Sequence, residues 1–433
     1  MAISNLLGIS TLELNSQNLV KKYFTFEMLI FLIDFLPMIF FILYLTDLVG
    51  YSFIGVLYSV SAITQTLTDY PSGVLGDWLK YKYVLFIGYF LFGLSTLCIV
   101  FFPDKIVLIF AFVVRGFSFA QISGALQSWF ENEYNTIVVE DTENTVFSIF
   151  SGILYKYLDY MAAVTYLIGG FLATYLSNGR SVILAFSGIT SIVLSILFLL
   201  FLNQQSSANK IEENYISRFK KGFGVIKSSK FIFYLVLSNL FQSIIQSLWF
   251  TLLAFPVLFG YTGSDFNNAV SRVLILIVSG KLSEIAGKRV PLLDWRKWIV
   301  KTTSITTVIF YLTFCIITFF FPITNTLELI PISIIFLLYV ISNYYRAIKN
   351  IITQKIYLKI IPNEARNSFY SIQPTLITLL LIPGFFYFSK IIELSSFYLS
   401  IFILSISSVI PVLLLKFAVK SNLEVILDNQ IKT

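Results

Sequence analysis

The sequence of 433 residues contains no histidine. A metal site built on imidazole ligands and a proton relay through histidine are therefore both excluded. Any proton transfer must use carboxylates, lysine or tyrosine. The sequence also lacks a Gly-x-Ser-x-Gly nucleophile motif, a phosphate-binding loop and a cluster of metal ligands. These absences predict a protein that is not an enzyme and that has neither a cofactor nor a metal centre.

Charged residues are scarce, at 12% of the sequence, whereas soluble globular proteins contain about 25%. Hydrophobic residues make up 57%, and the mean hydropathy is +0.84. The only two cysteines, Cys98 and Cys315, lie inside apolar runs, so no disulfide framework is indicated. The first 20 residues lack the pattern of a cleavable signal peptide. We therefore expect the first apolar run to direct membrane insertion.

Apolar runs of roughly 20 residues, the length of a helix that crosses a bilayer, recur along the whole chain. We predict an all-α membrane protein with twelve transmembrane helices. The spans are expected at residues 22–46, 51–78, 83–102, 105–131, 145–178, 180–203, 230–260, 266–287, 298–321, 327–355, 367–389 and 395–418. The eighth has a short apolar centre, and its alternative is a broken or re-entrant segment.

Two sequence features occur once in each half of the chain. Gly73 to Lys82 has a glycine, three residues, a carboxylate and then a basic residue, and Gly280 to Arg289 repeats this order. Asn144 to Ile149 is similarly echoed by Asn367 to Ile372. Because six spans are an even number, both copies keep one side of the membrane. The sequence thus predicts two parallel six-helix bundles, 1–203 and 230–433, joined by a polar linker, 204–229.

Basic residues are concentrated in the even-numbered loops, the linker and the termini, whereas the odd-numbered loops contain only Lys105, Arg180 and Lys390. The positive-inside rule then places both termini and the linker in the cytoplasm, and we expect the cell (plasma) membrane. Residues 131–143 form one predicted cytoplasmic loop with five acids and no base. Acids contribute little to topology, so this loop does not change the prediction.

The two-half layout and the Gly73-x-x-x-Asp77 turn resemble the major facilitator superfamily over nearly the whole chain. Its loop signature matches Gly73, Asp77 and Lys82 in the first copy, and Gly280, Gly287, Lys288 and Arg289 in the second, with Glu284 in place of the aspartate. Three shorter stretches, Asp69 to Gly73, Arg115 to Trp129 and Ile361 to Ser368, are similar to the drug:proton antiporter-like branch.

The resemblance implies a secondary transporter that works by alternating access. Spans 1, 4, 7 and 10 would line a central cavity, spans 2, 5, 8 and 11 would flank it, and the others would face lipid. The signature positions, together with Asp69, would form a conformational latch on the cytoplasmic side. The alternative is a turn whose lysines only set the orientation.

The charges inside the spans agree with this layout. A charge at the centre of a span costs about 2.5–3.5 kcal/mol, so it should face a cavity or a partner. Spans 3, 6, 9 and 12 contain no charge away from their ends. The intramembrane charges elsewhere are Asp34, Arg115, Lys156, Asp159, Arg272, Arg346 and Lys349. With two acids against more bases, the cavity should be positive, which favours a neutral, zwitterionic or anionic substrate over a dication.

Asp34 lies at the centre of the first span, and Pro37 follows one turn later. We interpret it as a carboxylate that exchanges a proton for a ligand; the alternative is a static ion pair with Arg115. Lys156 and Asp159 share a helix face and are expected to neutralise each other. The uncharged candidates for hydrogen bonds to substrate are Gln242, Gln246 and Asn343, and their alternative role is in contacts between helices.

The sequence therefore predicts a monomeric secondary transporter that couples the export of a small amphipathic solute to protons across a lipid bilayer, with no nucleic-acid partner. One alternative is an uptake permease for a metabolite or an anion. Another, of a different class, is a non-transporting receptor or assembly factor built on the same scaffold.

Overall fold

The computed structural model describes residues 2–78, 80–123, 125–138, 141, 145–202, 223–290, 293–360, 363–395 and 397–421. Every regular element within these ranges is helical, which confirms the predicted all-α class. The α-helices are α1 (Ala2–Leu6), α2 (Leu14–Phe35), α3 (Phe41–Val49), α4 (Tyr51–Trp78), α5 (Tyr81–Phe101), α6 (Lys105–Ile122), α7 (Ala125–Ile137), α8 (Thr145–Tyr175), α9 (Gly179–Phe201), α10 (Lys230–Leu248), α11 (Ala254–Thr262), α12 (Asp265–Arg289), α13 (Trp295–Cys315), α14 (Leu329–Ile360), α15 (Asn363–Leu394), α16 (Phe397–Ser407) and α17 (Val409–Lys420).

Among the described residues, eight helices or continuous helix pairs are long and apolar enough to cross a membrane. The number rises to nine if α3 and the first part of α4 form one bent span, since they meet at an angle of 117°. Gly50 lies at that bend with a φ of 76°, a conformation that favours glycine. The prediction of twelve spans is therefore not confirmed and stays a prediction.

The chain packs as two compact units. Unit 1 comprises Met1–Gly50, Val56–Ile211 and Ser264–Ile277, and unit 2 comprises Tyr51–Gly55, Glu212–Gly263 and Val278–Thr433. The start of α12 thus packs in unit 1, although it belongs to the second half of the sequence. Residues 204–222 of the predicted linker lie outside the described part of the chain, and residues 223–228 are helical. The predicted domain boundaries stay a prediction.

Each unit has its own apolar core. In unit 1 the ring of Tyr23 stacks on Phe130 with 3.9 Å between centroids, and Phe26 stacks on Phe198 at 4.6 Å. In unit 2 the core includes Leu235 of α10, which is fully buried. Hydrophobicity gives little drive for two helices to associate in lipid, so these contacts rely on close packing.

Small residues bring the helices of unit 1 close together. A Cβ atom on Gly93 of α5 would lie 2.6 Å from the carbonyl oxygen of Gly188 in α9. A Cβ on Gly116 of α6 would lie 2.3 Å from the carbonyl oxygen of Ser61 in α4. Both distances are too short for a side chain, so only glycine allows these backbones to approach as they do.

The first predicted span, residues 22–46, is not one helix, because α2 ends at Phe35 and α3 begins at Phe41. Pro37 has no backbone N–H, so it cannot bond to the carbonyl of Ile33 four residues earlier. The Ser187 hydroxyl of α9 donates to this carbonyl at 2.9 Å. A neighbouring helix therefore satisfies the acceptor that the proline leaves open, which makes the interruption tolerable in a membrane.

Two further predicted spans contain a π-helix, at Trp249–Leu253 and at Ile316–Phe320. The first immediately precedes α11, where the ring of Pro256 would clash with the carbonyl of Leu252 in a regular α-helix. The second ends just before Pro322. The predicted ninth span, residues 298–321, and the seventh, residues 230–260, are thus irregular near their ends.

The eighth predicted span is a single helix, α12, so its backbone is not broken. Among the described residues, however, α12 is not one of the helices that are long and apolar enough to cross a membrane, so its role as a span stays a prediction. The two glycine–carboxylate stretches were interpreted as turns, but their glycines and carboxylates lie in helices, inside the predicted spans 51–78 and 266–287. The backbone is helical from Asp69 to Trp78, within α4, and from Gly280 to Arg289, within α12.

Arg180, at the start of α9, bridges two carboxylates in unit 1. Its Nη1 atom lies 2.7 Å from the carboxylate of Asp47 at the end of α3. Its Nε and Nη2 atoms donate to the two carboxylate oxygens of Asp265, the first residue of α12, at 2.8 and 3.1 Å. The Asp47 side chain is 68% exposed, whereas that of Asp265 is 5% exposed. The buried bidentate pair should therefore contribute most of the stability of this network.

We expect Asp265→Asn to lower the free energy of unfolding by about 2–3 kcal/mol, because it removes the buried negative charge that accepts two hydrogen bonds from the Arg180 guanidinium. Asp47→Asn is the matched control and should cost about 0–1 kcal/mol, as exposed pairs do. Thermal denaturation of both variants in detergent micelles measures the difference. Equal losses of stability would contradict the assignment.

Candidate functional site

The carboxylate of Asp34 lies at the last turn of α2, directly before the interruption at Pro37. Its residue is partly exposed, but the atom Oδ1 is buried and has no hydrogen-bond partner among the described residues. An unsatisfied carboxylate oxygen inside an apolar helix is costly. At the position that the sequence predicts, the structure therefore has a carboxylate oxygen that a proton or a hydrogen-bond donor of a ligand can satisfy.

Arg115, on α6, is close enough to Asp34 to act on it electrostatically. Both side chains are described, and they do not form an ion pair within 4.0 Å. Arg115 instead donates to the Thr96 hydroxyl at 3.2 Å. Its guanidinium carbon lies 4.4 Å from the ring centroid of Phe92, 5.0 Å from that of Phe41 and 5.3 Å from that of Phe119. Three aromatic faces thus hold the cation in place of a carboxylate.

Glu27 is a candidate that the sequence interpretation missed. It precedes Asp34 by seven residues on α2, so the two side chains lie on one helix face. It hydrogen-bonds with Tyr23 and is within electrostatic reach of Asp34. The spacing of seven was available in the sequence, but Glu27 lies near the start of the predicted span and was not counted as intramembrane.

The expected neutral pair of Lys156 and Asp159 is wrong. Both residues are exposed on α8, and these two described side chains do not form an ion pair within 4.0 Å. The Nζ atom of Lys156 lies instead 5.8 Å from the ring centroid of Tyr160 and 6.0 Å from that of Tyr157. The aromatic rings provide the cation with a partner on its own helix, so it need not turn toward the acid.

Arg272 of α12 is buried, at 6% exposure, and belongs to unit 1. It acts electrostatically on Tyr166 of α8, whose hydroxyl lies 3.5 Å from the sulfur of Met38. The backbone contact nearby is tight, because a Cβ on Gly170 would lie 2.5 Å from the Cβ of Ala269. Arg272 thus packs within unit 1, close to the interruption between α2 and α3.

Unit 2 contains a polar cavity of about 190 Å³. Four of its residues are on α10, four on α14 and one on α15: Asn239, Gln242, Ser243, Gln246, Lys349, Asn350, Thr353, Tyr357 and Gln373. The α10 members follow the spacing i, i+3, i+4, i+7, so they form one polar stripe. The cavity brings together the predicted Gln242 and Gln246, and adds Lys349 to them.

The hydrogen bonds of this cavity converge on two groups. The Nζ atom of Lys349 donates to the side-chain oxygen of Gln242. The Tyr357 hydroxyl accepts from the Asn239 amide at 2.8 Å and from the Gln373 amide at 3.1 Å. Three helices of unit 2 are therefore joined around the cavity by amide and hydroxyl groups.

The other two predicted residues of unit 2 line a smaller cavity of about 40 Å³ next to Gln246. Asn343 donates to the Ser279 hydroxyl at 2.9 Å. The guanidinium carbon of Arg346 lies 5.6 Å from the ring centroid of Phe250. Asn343 thus makes the contact between helices that was its alternative role, and Arg346 is held by an aromatic face.

The predicted latch residues are described only in part. The side chains at Asp69, Asp77, Glu284 and Lys288, and the surroundings of Gly73 and Gly287, lie outside the described set. In the part that is described, Lys82 lies over the Tyr83 ring at 5.1 Å, and Arg289 donates to the Tyr344 hydroxyl at 3.2 Å. The latch itself stays a prediction.

Within the described ranges, no group of three or more cysteine, aspartate or glutamate residues is placed to hold a metal ion. What the two units do offer is acid–base and hydrogen-bonding chemistry. Unit 1 presents a carboxylate with an open oxygen, and unit 2 presents a cavity with donors and acceptors. Such groups suit reversible binding of a proton and a small polar molecule.

Comparison with known proteins identifies the family and the fold of the chain. A family model of the Major Facilitator Superfamily matches residues 23–384. No curated protein matches the sequence. The nucleoside transporter NupG is similar in structure, with a TM-score of 0.73, 13% identity, and coverage of 94% of this chain and 100% of that chain.

Two further solved structures share the fold. A D-xylose-proton symporter has a TM-score of 0.71 and 11% identity, and covers 93% of this chain and 97% of its own. A bacterial homolog of the human lysosomal transporter Spinster has a TM-score of 0.67 and 12% identity, with the same coverage, 93% and 97%. Since the family model spans most of the sequence, the chain belongs to the Major Facilitator Superfamily and is a multi-pass membrane transporter, not an enzyme.

Proposed function

We propose that this protein is a proton-coupled secondary transporter that exports a small organic solute by alternating access. The observation that carries the proposal is the Asp34 carboxylate, whose buried Oδ1 atom has no hydrogen-bond partner among the described residues. Because no histidine occurs in the sequence, a carboxylate is the natural carrier of a proton here. Ionisable groups inside membrane helices generally mark ion or substrate pathways.

The position of Arg115 supports the same role. It acts on Asp34 through space, while its own contacts are with Thr96 and aromatic rings. Asp34 can therefore gain or lose a proton without breaking a direct ion pair. A static ion pair, which was the alternative, would have tied both groups to a structural role.

A second candidate function is uptake of a polar metabolite by proton symport. The polar lining of the 190 Å³ cavity favours it, because amides and hydroxyls suit a hydrophilic solute better than an amphipathic drug. The structurally similar NupG and the D-xylose-proton symporter are named for polar solutes. The short motifs similar to the drug:proton antiporter-like branch favour export instead.

The remaining parts of the proposal come from the sequence. We place the protein in the plasma membrane with both termini in the cytoplasm, following the distribution of basic residues. We expect it to work as a monomer. Twelve spans in two parallel repeats, with a latch at the two glycine–carboxylate stretches, complete the proposed architecture.

Asp34→Asn should abolish solute movement driven by a pH gradient, because the amide cannot exchange a proton. Exchange of labelled for unlabelled solute without a gradient should remain. Proteoliposomes loaded with a ligand found by a thermal-shift screen would measure both activities. Glu13→Gln, which removes an exposed carboxylate at the start of the same helix, is the control and should behave as the wild type. Gradient-driven flux at the wild-type level in Asp34→Asn would show that Asp34 does not carry the proton.

The sign of the coupling separates export from uptake, whichever way the protein is oriented in the vesicle. With the membrane potential clamped at zero, an antiporter that exchanges one proton per solute should concentrate a neutral solute about tenfold in an acidic lumen per pH unit. A symporter should concentrate it in an alkaline lumen instead. Accumulation in the alkaline lumen would show that the protein is a symporter that takes up solute and not an exporter. Absence of accumulation under either gradient would contradict proton coupling.

A further inference from the structure

The side chain of Lys349, on α14, is buried in unit 2 at 4% exposure. Its Nζ atom donates to the side-chain oxygen of Gln242, an uncharged acceptor. Among the described residues, no carboxylate lies within ion-pair distance of it or acts on it electrostatically. Lys349 is thus a buried lysine for which no described residue supplies a counter-charge.

An ammonium group has three N–H donors, and Gln242 accepts from one of them. Removing such a group from water without a counter-charge is expensive, so buried charges are generally paired or bound to a ligand. A ligand that is not part of the chain would supply the missing counter-charge. The cavity next to Lys349 is where such a partner would bind.

The lining of the 190 Å³ cavity is consistent with a negatively charged occupant. It contains amides, hydroxyls and one lysine, and none of its described lining residues is an acid. Thr353 lies one helical turn after Lys349 and is 8% exposed. Its hydroxyl has no hydrogen-bond partner among the described residues, so it is a second donor next to the cation.

We propose that this cavity binds a small organic anion through oxygen atoms that accept hydrogen bonds from Lys349, with the Thr353 hydroxyl as a second donor. The inference rests on the proposed transport function and specifies its substrate class. Carboxylates and phosphate monoesters share the required chemistry, which is an anionic group with several acceptor oxygens. The amides of Asn239 and Gln373, which meet at the Tyr357 hydroxyl, would contact the uncharged part of the solute.

Gln242 has a defined part in this proposal. Its side-chain oxygen occupies one donor of Lys349 and keeps the ammonium group oriented while the cavity is empty. Because Gln242 is neutral, it leaves the positive charge available to the ligand. An acidic residue at the same place would neutralise Lys349 and repel an anion.

Thermal shift of the purified protein in detergent tests the proposal without a membrane or a gradient. A panel of small carboxylates and phosphate monoesters would be compared with uncharged counterparts, beginning with succinate against succinamide and glycerol 3-phosphate against glycerol. We expect an anion to raise the melting temperature more than its uncharged counterpart does, since a ligand stabilises the state that binds it. Which of the two pairs responds decides between a carboxylate and a phosphate.

Variants then assign the effect to the cavity. Lys349→Gln should weaken the binding of the anion about tenfold or more, because it removes a charge-assisted hydrogen bond. Lys297→Gln removes the same charge from a side chain that is 86% exposed, and it should retain the wild-type affinity. If Lys349→Gln does not fold, Gln242→Glu serves as the second variant: it keeps the lysine, supplies it with an internal counter-ion and should likewise abolish the preference for anions.

The proposal is overturned if no anion in the panel stabilises the wild type more than its uncharged counterpart. It is also overturned if Lys349→Gln or Gln242→Glu keeps the preference. Failure of the transport proposal would look different. Anion binding that depends on Lys349, without any flux driven by a pH gradient, would leave the site intact and remove the proton coupling. If a pH gradient drives flux of a solute whose binding does not depend on Lys349, the proton coupling stands and the anion site is overturned.

Discussion

The structure depends on one constraint: inside a bilayer, each backbone polar group needs a partner within the protein. Pro37 breaks this rule locally, because it removes the donor for the carbonyl of Ile33. Ser187 restores it from a neighbouring helix at 2.9 Å. The helix can therefore end next to Asp34 inside an apolar region. Pro37 thus places Asp34 at a helix end, and the hydrogen bond from Ser187 makes that helix end tolerable in a membrane.

Three cations of the described chain are held in two different ways. Arg180 is bound by two carboxylates, one of them buried, and this pairing is structural. Arg115 is held by aromatic rings and a hydroxyl, and Lys349 by an amide. The latter two keep their positive charge available to other groups. A cation that is paired with an acid, such as Arg180, thus stabilises the fold. Cations that are held by aromatic rings, hydroxyls or amides are still able to act on a proton or a ligand.

The sequence predicted much of the fold class, because long apolar runs and scarce charge leave few alternatives. The position of Asp34 in a predicted span and the polar character of Gln242 and Gln246 were also readable from the sequence. The contact of Arg180 with Asp265 was not, since these residues are 85 positions apart and meet only when α9 packs near α12. The spacing of Lys156 and Asp159 suggested an ion pair, but nearby tyrosine rings compete for the lysine.

The cavity in unit 2 could be predicted from the sequence only in part. The stripe of polar residues on α10, from Asn239 to Gln246, follows helical spacing and could have indicated a polar face. Nothing in the sequence shows that Lys349 meets this face, or that Tyr357 joins α10 to α15. Those contacts depend on the packing of three helices that are distant in the chain.

The aromatic cage around Arg115 has a kinetic consequence. A carboxylate held in a direct ion pair must first separate from its partner before it can accept a proton, and that separation adds a barrier. Asp34 has no such ion-pair partner among the described residues, so the proposed exchange with a proton donor would be limited by access of the donor and not by rupture of a salt bridge. The three phenylalanines thus let the positive charge of Arg115 act on Asp34 without a salt bridge that would have to break before the proposed proton exchange.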